Sequence, residues 1–231
     1  MKSRIRSLVI SIIVISFLSV AMPFFCFASD PASAANIFLY PRPHKVADLV
    51  LKSPSGQTVS LKDFRGKVVI LHFWSINCPA CRMEEPFLEQ LKRSFGPSGL
   101  EILAVNLVDS PQAIASHAVS NRLSFPILVD GGQGFQLKVV NMAGKSTAFV
   151  VNSSHEAILE VPGFPTTYIV DCRGSAVGYS VGCARWDSTY ALNLIQKLVA
   201  EAKTCGLGQS PSEGQPKIAV ANLKPHTFVF P

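Results

Sequence analysis

The residues around a single Cys-x-x-Cys pair constrain the fold of this chain more than any other feature. Residues 67–74 form an apolar run rich in β-branched side chains and follow Gly66, which is typical of a buried strand. Residues 75–77 predict a turn, and residues 80–95 have the apolar spacing of a helix. The sequence therefore predicts that the two cysteines lie where a central strand gives way to a helix.

The predicted helix places its two cysteines in different environments. Pro79 suits the first helical position, where a missing N–H costs nothing, so Cys78 is expected at or next to the N-cap. The unpaired N–H groups and the helix dipole there favour a thiolate, which lowers the thiol pKa and makes Cys78 the nucleophile. Cys81 lies one turn further in, where it is more shielded and suited to resolve a mixed disulfide.

The side chains of this helix divide by their spacing into an apolar and a charged set. Those expected to face the core are Met83, Phe87, Leu88 and Leu91. Those expected on the other faces are Glu84, Glu85, Glu89, Lys92 and Arg93. Pro86 predicts a kink.

A Cys-x-x-Cys pair can also be half of a zinc site or a structural crosslink. A structural zinc site needs a second ligand pair at short spacing, and the sequence has neither another CxxC nor an HxxxH. A crosslink over two residues constrains little chain entropy. We therefore interpret the pair as a redox dithiol, with no metal and no cofactor besides the Cys78–Cys81 disulfide itself.

The N-terminal segment predicts export. Three basic residues open the chain, and residues 8–28 carry no charge. A cleaved signal fits, with cleavage before Ser29 or before Ala35, because Pro23 breaks the apolar run and small residues follow it. The run also has about the ~20 residues that span a bilayer, so an uncleaved anchor is a second alternative, and lipid attachment at Cys26 is a third. Each alternative places the body in the periplasm or another extracytoplasmic space.

Composition and charge narrow the remaining function classes. Charged residues are 16% and apolar residues 48% of the 231 residues, which excludes a disordered chain. Without the three basic residues of the signal, 18 Lys and Arg face 15 Asp and Glu, so the net charge of +6 falls to +3 and nucleic acid binding is not indicated. Five of the six cysteines lie in the exported part, so at least one thiol is expected to be unpaired or to pair between chains.

The rest of the chain alternates between strand and helix patterns. The predicted elements are strands at 100–108 and 125–130, a helix at 111–122, a hairpin of strands 166–171 and 176–181, and a helix at 187–203. This alternation predicts an α/β fold with a mixed central sheet flanked by helices.

Further motifs accompany the CxxC. They are Phe73-Trp74 before it, Arg82-Met83-Glu84-Glu85-Pro86 after it, Gly163-Phe164-Pro165-Thr166 further on, and the N-terminal segment 53–67. Together they resemble the thioredoxin superfamily in its exported TlpA/ResA-like branch, with an N-terminal segment related to the AhpC/TSA proteins. The resemblance covers residues 46 to about 203 and implies a thioredoxin-like fold with an N-terminal hairpin.

The resemblance implies roles for the residues around the CxxC. In that family the proline of Gly-x-Pro-Thr is cis and faces the CxxC, so Pro165 is expected to be cis. The backbone of Phe164 would then pair with an extended substrate beside the disulfide. The implied catalytic residues are Cys78, Cys81, Pro165 and His72. The implied substrate contacts are Trp74, Asn77, Pro79, Ala80, Phe164 and Thr166.

His72 departs from the family pattern six residues before Cys78. Thioredoxins have a buried carboxylate there that relays a proton to the second cysteine, and TlpA-like proteins often have Asn. His72 is therefore either a general base near neutral pH or a buried neutral imidazole that fills space and makes a hydrogen bond. Asn77 replaces the Trp often found before the first cysteine, which would open the rim or add a polar contact, and Ala80 replaces a residue that tunes the redox potential.

These patterns divide the chain into four parts. They are a signal peptide or membrane anchor at 1–34, a linker at 35–45, a thioredoxin-like domain at 46–205, and a C-terminal tail at 206–231 that is expected to be flexible at its Gly-, Ser- and Pro-rich start. Within the domain, about residues 131–163 are an insert. Its strand–turn–strand pattern at 146–160 predicts a hairpin before the cis-proline loop, which would border the active site. That hairpin would either select substrates or simply extend the sheet edge.

Three cysteines lie outside the CxxC in the predicted domain. Cys172, Cys183 and Cys205 are expected to be structural or idle thiols, and a Cys183–Cys205 bond would form only if the chain folds back.

The resemblance implies an exported thiol-disulfide oxidoreductase. It would reduce protein disulfides rather than form them, serving cytochrome c maturation or another exported client. Its partners would be a protein disulfide or dithiol substrate and a membrane or periplasmic electron donor, with membrane anchorage through residues 8–28 as one alternative.

Two other functions compete with this one. A thiol peroxidase would need the motif Pro-x-x-x-Thr/Ser-x-x-Cys. In this chain Ser75 fits that motif, but Leu71 stands where it needs proline. A copper-binding chaperone would space its cysteines by three residues and use a later histidine.

Overall fold

A six-stranded mixed sheet forms the centre of the protein. The computed structural model describes residues 30–129, 136–142, 145–151 and 157–205. The strands are β1 (Phe38–Lys45), β2 (Val50–Lys52), β3 (Thr58–Ser60), β4 (Val68–Phe73), β5 (Leu100–Val105), β6 (Ile127–Leu128), β7 (Gln136–Met142), β8 (Lys145–Val151), β9 (Ala157–Glu160), β10 (Thr166–Val170) and β11 (Ser175–Val181). The helices are α1 (Pro31–Ala35), α2 (Pro79–Phe95), α3 (Pro111–Asn121) and α4 (Thr189–Ala202). Two short 3₁₀ turns lie at Leu61–Phe64 and Gly96–Ser98.

The order of the central sheet is β1-β11-β10-β4-β5-β6. The pairs β4–β5 and β5–β6 are parallel, and the other three pairs are antiparallel. Every residue of β4 and β5 is buried, as the continuous apolar runs in the sequence predict for central strands covered on both faces. The predicted α/β fold with a mixed sheet is confirmed.

The two faces of this sheet are covered by different layers. On one face, α2 and α4 pack with Ile114 of α3 into a core that includes Cys78 and Cys81. On the other face, the core contains Leu51 from the predicted N-terminal hairpin, now seen as β2 and β3, together with Leu159 of β9. The redox pair therefore lies on the helical side of the sheet.

The insert contains the predicted hairpin, seen as β8 and β9, and one further strand, β7. Strands β7, β8 and β9 form a three-stranded antiparallel sheet that is separate from the central one, so the insert does not extend the central sheet's edge. Val150 and Leu159 instead pack into the core on the non-helical face. The Tyr168 hydroxyl donates a hydrogen bond to the Glu160 carbonyl at 2.5 Å, which fixes the end of β9 to β10.

The prediction of a linker at residues 35–45 is wrong, because β1 is an edge strand of the central sheet. It pairs with β11 through Phe38–Tyr179 and Leu39–Gly178. Before it, α1 ends at Ala35, which is 1% exposed and packs in the helical-side core. Among the described residues, the fold therefore already includes α1 and β1, before residue 46.

The terminal segments lie outside the described residues. These are residues 1–29 of the signal or anchor predicted at residues 1–34, with Cys26, and the tail at 206–231. Within the described ranges, no helix is long and apolar enough to cross a membrane.

The buried face of α2 differs from the predicted one. Met83, expected in the core, is 63% exposed, whereas Glu84, Glu85 and Glu89 are buried. Each of these carboxylates accepts a hydrogen bond from another element of the fold, which is the condition for burying a charged group. The predicted core positions Leu88 and Leu91 are confirmed.

A second disulfide closes the C-terminal part of the domain. Cys172, in the turn between β10 and β11, is bonded to Cys205 after α4, with Cα atoms 6.3 Å apart. Cys183 is a free, exposed thiol. Cys172 and Cys205 are therefore structural, and a Cys183–Cys205 bond does not form.

We expect that the double substitution Cys172→Ser/Cys205→Ser lowers the free energy of unfolding by about 3–4 kcal/mol, because the bond closes a loop of 33 residues and restricts the unfolded chain. Denaturant unfolding monitored by circular dichroism measures this loss. Cys183→Ser is the matched control and should change stability by less than about 0.5 kcal/mol. Equal stability of the double variant and the control would contradict a structural role for the bond.

Candidate active site

The start of α2 determines the chemistry of the two cysteines. Cys78 is the N-cap residue, Pro79 occupies the first turn, and Cys78 Sγ accepts a hydrogen bond from the Cys81 N–H at 3.1 Å. Cys78 and Cys81 are joined by a disulfide. When the pair is reduced, the same N–H and the helix N-terminus stabilise negative charge on Cys78. The predicted strand, turn and helix order is confirmed.

Cys78 and Cys81 differ in their exposure to solvent. Cys78 is 8% exposed and Cys81 is 0% exposed, so an incoming sulfur atom reaches Cys78 first. The turn before Cys78 is held in place by the Ile76 N–H, which donates to Asp109 Oδ2 at 2.8 Å. Asp109 in turn accepts from Asn106 Nδ2 at 2.8 Å, which ties the turn to the end of β5.

The cis-proline loop lies beside this turn. The Phe164–Pro165 bond is cis, and Thr166, the first residue of β10, pairs with Phe73 at the end of β4. The Pro165 carbonyl accepts a hydrogen bond from the Gly182 N–H at 2.8 Å. Because β4 leads directly into the CxxC turn, this register brings the proline loop to the same end of the sheet as the disulfide.

The predicted substrate contacts separate by burial. Asn77 and Pro79 are exposed, and Ala80 and Phe164 are half-buried, so these four residues can form a rim around Cys78. Trp74 is 2% exposed and Thr166 is 1% exposed, so neither offers a surface to a substrate. The Thr166 hydroxyl instead donates to the Gly163 carbonyl at 2.6 Å and shapes the proline loop. The Trp74 ring packs near the His117 ring, with centroids 5.1 Å apart.

A buried polar group lies one turn beyond Cys81. Glu84 is fully buried, and its Oε1 accepts hydrogen bonds from the Ala184 N–H at 2.6 Å and from Trp186 Nε1 at 2.9 Å. Its Oε2 has no hydrogen-bond partner among the described residues and lies 3.8 Å from His72 Nδ1. The same His72 nitrogen is 2.9 Å from the Thr167 hydroxyl.

Burial shifts the pKa values of these two groups in opposite directions. It raises the pKa of Glu84 to about 7, although the hydrogen bonds from Ala184 and Trp186 act the other way. It lowers the pKa of His72 to about 3, so the imidazole is neutral at physiological pH. Of the two predictions for His72, the geometry favours the buried neutral imidazole that makes a hydrogen bond.

Glu84 is a site residue that sequence reasoning missed. Its signal was its spacing, because Cys81, Glu84, Leu88 and Leu91 recur every three or four residues and share one helix face. Charge alone placed it on the solvent side. Within the described residues, no group of three or more His, Cys, Asp or Glu side chains could hold a metal ion.

The protein has a disulfide between a helix-capping cysteine and a buried one, and a cis proline at the same end of a mixed sheet. It is a thiol-disulfide oxidoreductase with a thioredoxin fold. The family model described as AhpC/TSA matches residues 43–176. The chain belongs to this family.

Several proteins similar to this chain are named as thiol-disulfide oxidoreductases or thioredoxin-like proteins. The thiol-disulfide oxidoreductase ResA of Bacillus thuringiensis subsp. konkukian is 29% identical over 119 residues, which are 52% of this chain and 68% of that protein. The thioredoxin-like protein YneN of Bacillus subtilis is 33% identical over 138 residues, or 58% of this chain and 68% of its own length. A solved thiol:disulfide interchange protein from Chlorobium tepidum, 16% identical, shares the fold with a TM-score of 0.51 over 69% of this chain and 99% of its own.

The raised pKa of Glu84 makes a pH prediction. The pKa of Glu84 is about 7 in the folded protein and 4.5 in the unfolded chain. Protonated Glu84 therefore stabilises the fold fully below pH 4.5, and this stabilisation is lost as the pH rises through about 7. We expect the free energy of unfolding of the wild type, relative to Glu84→Gln, to fall by about 3 kcal/mol between pH 4.5 and 7.5, because one pKa unit is ~1.4 kcal/mol.

Denaturant unfolding of both proteins at several pH values measures this difference. Glu201→Gln, at an exposed position of α4, is the control and should follow the wild type at every pH. Parallel pH profiles for the wild type and Glu84→Gln would contradict the raised pKa.

Proposed function

We propose that this protein is an extracytoplasmic disulfide reductase in which Cys78 attacks the client disulfide and Cys81 resolves the mixed disulfide. The observation that carries the proposal is the difference between the two sulfur atoms. Cys78 caps α2 and is 8% exposed, whereas Cys81 is 0% exposed one turn inside the helix. An outside disulfide therefore meets the sulfur that the helix N-terminus stabilises as a thiolate.

The proposed reaction consists of two exchanges. The Cys78 thiolate attacks one client sulfur, a Cys78–client bond forms, and the other client sulfur leaves as a thiolate that takes up a proton. Cys81 then loses its proton and attacks Cys78 Sγ, so that the Cys78–Cys81 bond forms and the second client sulfur leaves. Two electrons pass from the protein to the client, and the two client sulfurs take up the proton released by Cys81 and one proton from solvent.

The second exchange requires a base in a dry environment. Glu84 is buried on the same helix one turn beyond Cys81, and a pKa of about 7 lets it accept a proton near neutral pH. His72, neutral at that pH, lies between Glu84 and the Thr167 hydroxyl and acts as a positioning residue rather than as the base.

The rim around Cys78 supplies the client-binding surface. In this proposal the Phe164 backbone, at the cis bond to Pro165, pairs with an extended client segment beside the disulfide. Asn77, Pro79 and Ala80 contact the client from the other side of Cys78. Trp74 and Thr166 act from beneath, by holding the turn and the proline loop.

The cellular setting follows from the sequence and from the relatives. The apolar segment at 8–28 after a basic start supports export, either with cleavage or with retention as an anchor. The functional domain runs from α1 to Cys205. Because an oxidising compartment returns Cys78 and Cys81 to the disulfide, turnover requires a membrane or periplasmic electron donor.

Trapping the mixed disulfide tests the cysteine roles. In a Cys183→Ser background, which removes the exposed free thiol, Cys81→Ser should accumulate a covalent adduct with a disulfide-bonded peptide, because no resolving thiol remains. Cys78→Ser should form less than about a tenth as much, because Cys81 is buried. Mass spectrometry under non-reducing conditions measures the adduct.

The Cys183→Ser protein with both active-site cysteines is the control and should release the reduced peptide without a lasting adduct. Preferential trapping on Cys81 in the Cys78→Ser variant would contradict the assignment. Consumption of peroxide at a comparable rate would instead favour the peroxidase.

A further inference from the structure

A groove beside the active-site helix carries three arginines. It has a volume of about 340 Å³ and lies between α2 and the chain that follows α3. Arg82 and Arg93 reach it from α2, and Arg122 reaches it from the C-terminal end of α3. The Arg82 N–H donates to the Cys78 carbonyl at 3.3 Å, so one end of this arginine groove lies one helical turn from Cys78.

The guanidinium groups in the groove form no ion pair with the described part of the chain. Of the ion pairs within the described residues, none includes Arg82, Arg93 or Arg122, and all three side chains are exposed. Each presents several donors in a planar fork that matches a carboxylate. The groove thus offers three unpaired cations that point to an anionic ligand.

The two acidic residues that line the groove are already bonded elsewhere. Glu85 Oε1 is 2.6 Å from His117 Nε2, which joins α2 to α3. The two oxygens of Glu89 accept hydrogen bonds from the Ser124 N–H at 2.5 Å and from the Ser124 hydroxyl at 2.7 Å. Both carboxylates therefore build the wall of the groove, and three positive charges face two negative ones in it.

The backbone at Arg122 fits a role for its side chain. Arg122 has φ 54°, in the left-handed region, at the position where a helix usually ends with glycine. Its N–H caps the Ala118 and Val119 carbonyls, a bond that glycine could make without the cost of a Cβ in that region. Capping alone does not explain an arginine at this strained position, but a third guanidinium in the groove does.

We propose that the arginine groove docks an acidic segment of a protein client while the client's disulfide lies at Cys78. The inference rests on the proposed reductase function and specifies the class of client. Arg82 and Arg93 are eleven residues apart on α2, which is about 16 Å at ~1.5 Å per residue. An extended segment of about five residues spans that length at ~3.3 Å per residue. Pro86, between them on the helix, provides an apolar floor for the stems of acidic side chains.

A matched pair of peptides tests the proposal. Both contain the same internal disulfide, and one carries three glutamates beside it where the other carries three glutamines. The rate constant for oxidation of the reduced protein by each peptide is measured by stopped-flow tryptophan fluorescence at low and high ionic strength. We expect the glutamate peptide to react about tenfold faster at low ionic strength, since electrostatic steering raises association rates by ~10–10³-fold. The advantage should shrink at high salt.

Variants assign this preference to the groove. In Arg82→Gln/Arg93→Gln/Arg122→Gln the ratio of the two rate constants should fall below about two. The control, Arg42→Gln/Lys52→Gln/Arg173→Gln, loses the same charge at exposed positions outside the groove and should keep the tenfold ratio. A wild-type ratio near one, or an unchanged ratio in the groove variant, overturns the proposal.

A binding measurement separates docking from chemistry. A labelled glutamate peptide without cysteines should bind the oxidised wild type, by fluorescence anisotropy, at least fivefold more tightly than it binds the groove variant. If the reduced protein reduces neither disulfide peptide, the reductase function fails, and the client docking proposed here fails with it. If it reduces both equally, only the docking proposal fails.

Discussion

One buried carboxylate holds the active-site helix to the rest of the fold. Glu84 Oε1 accepts hydrogen bonds from the Ala184 N–H and the Trp186 indole, one hundred residues further along the chain. Those donors follow β11, whose neighbouring residue Gly182 also binds the Pro165 carbonyl. The start of α2, and with it the two cysteines, is therefore fixed relative to the cis-proline loop through a polar contact within an apolar core. Leaving such donors unpaired in the core would cost about 1–3 kcal/mol each, which makes the contact an organising constraint.

The same carboxylate links structure to chemistry. Its other oxygen lacks a partner among the described residues and faces His72, so the pKa of Glu84 is raised by the burial that also shields Cys81. In the proposed reaction, the carboxylate that anchors the helix also accepts the proton that Cys81 releases. The proposed proton acceptor and the proposed resolving sulfur are both fully buried on α2.

Local patterns were sufficient to predict the parts of the site that depend on neighbouring residues. The apolar run of β4, the proline after Cys78 and the spacing of α2 predict the helix-capping cysteine from one contiguous stretch of sequence. The resemblance predicted the cis bond at Pro165. These features need no knowledge of what packs against them, and the structure confirms them.

Features that depend on distant partners were not predictable in this way. The charge of Glu84 predicts a surface position, because the sequence does not show that Ala184 and Trp186 donate hydrogen bonds to it. Strand β1 contains Pro41 and Pro43, and prolines in a short segment are typical of a linker. An edge strand with an irregular register nevertheless tolerates proline. The Cys172–Cys205 bond required a Cα distance that spacing alone does not give.

The reduction potential of the Cys78–Cys81 pair tests the central claim most directly. It is measured by equilibrating the Cys183→Ser protein with defined glutathione or dithiothreitol buffers and quantifying the free thiols. A reductase predicts a value near that of thioredoxin, about −270 mV, or lower. A value near about −120 mV, at the strongly oxidising end of the scale, would contradict the account and make the protein a disulfide donor.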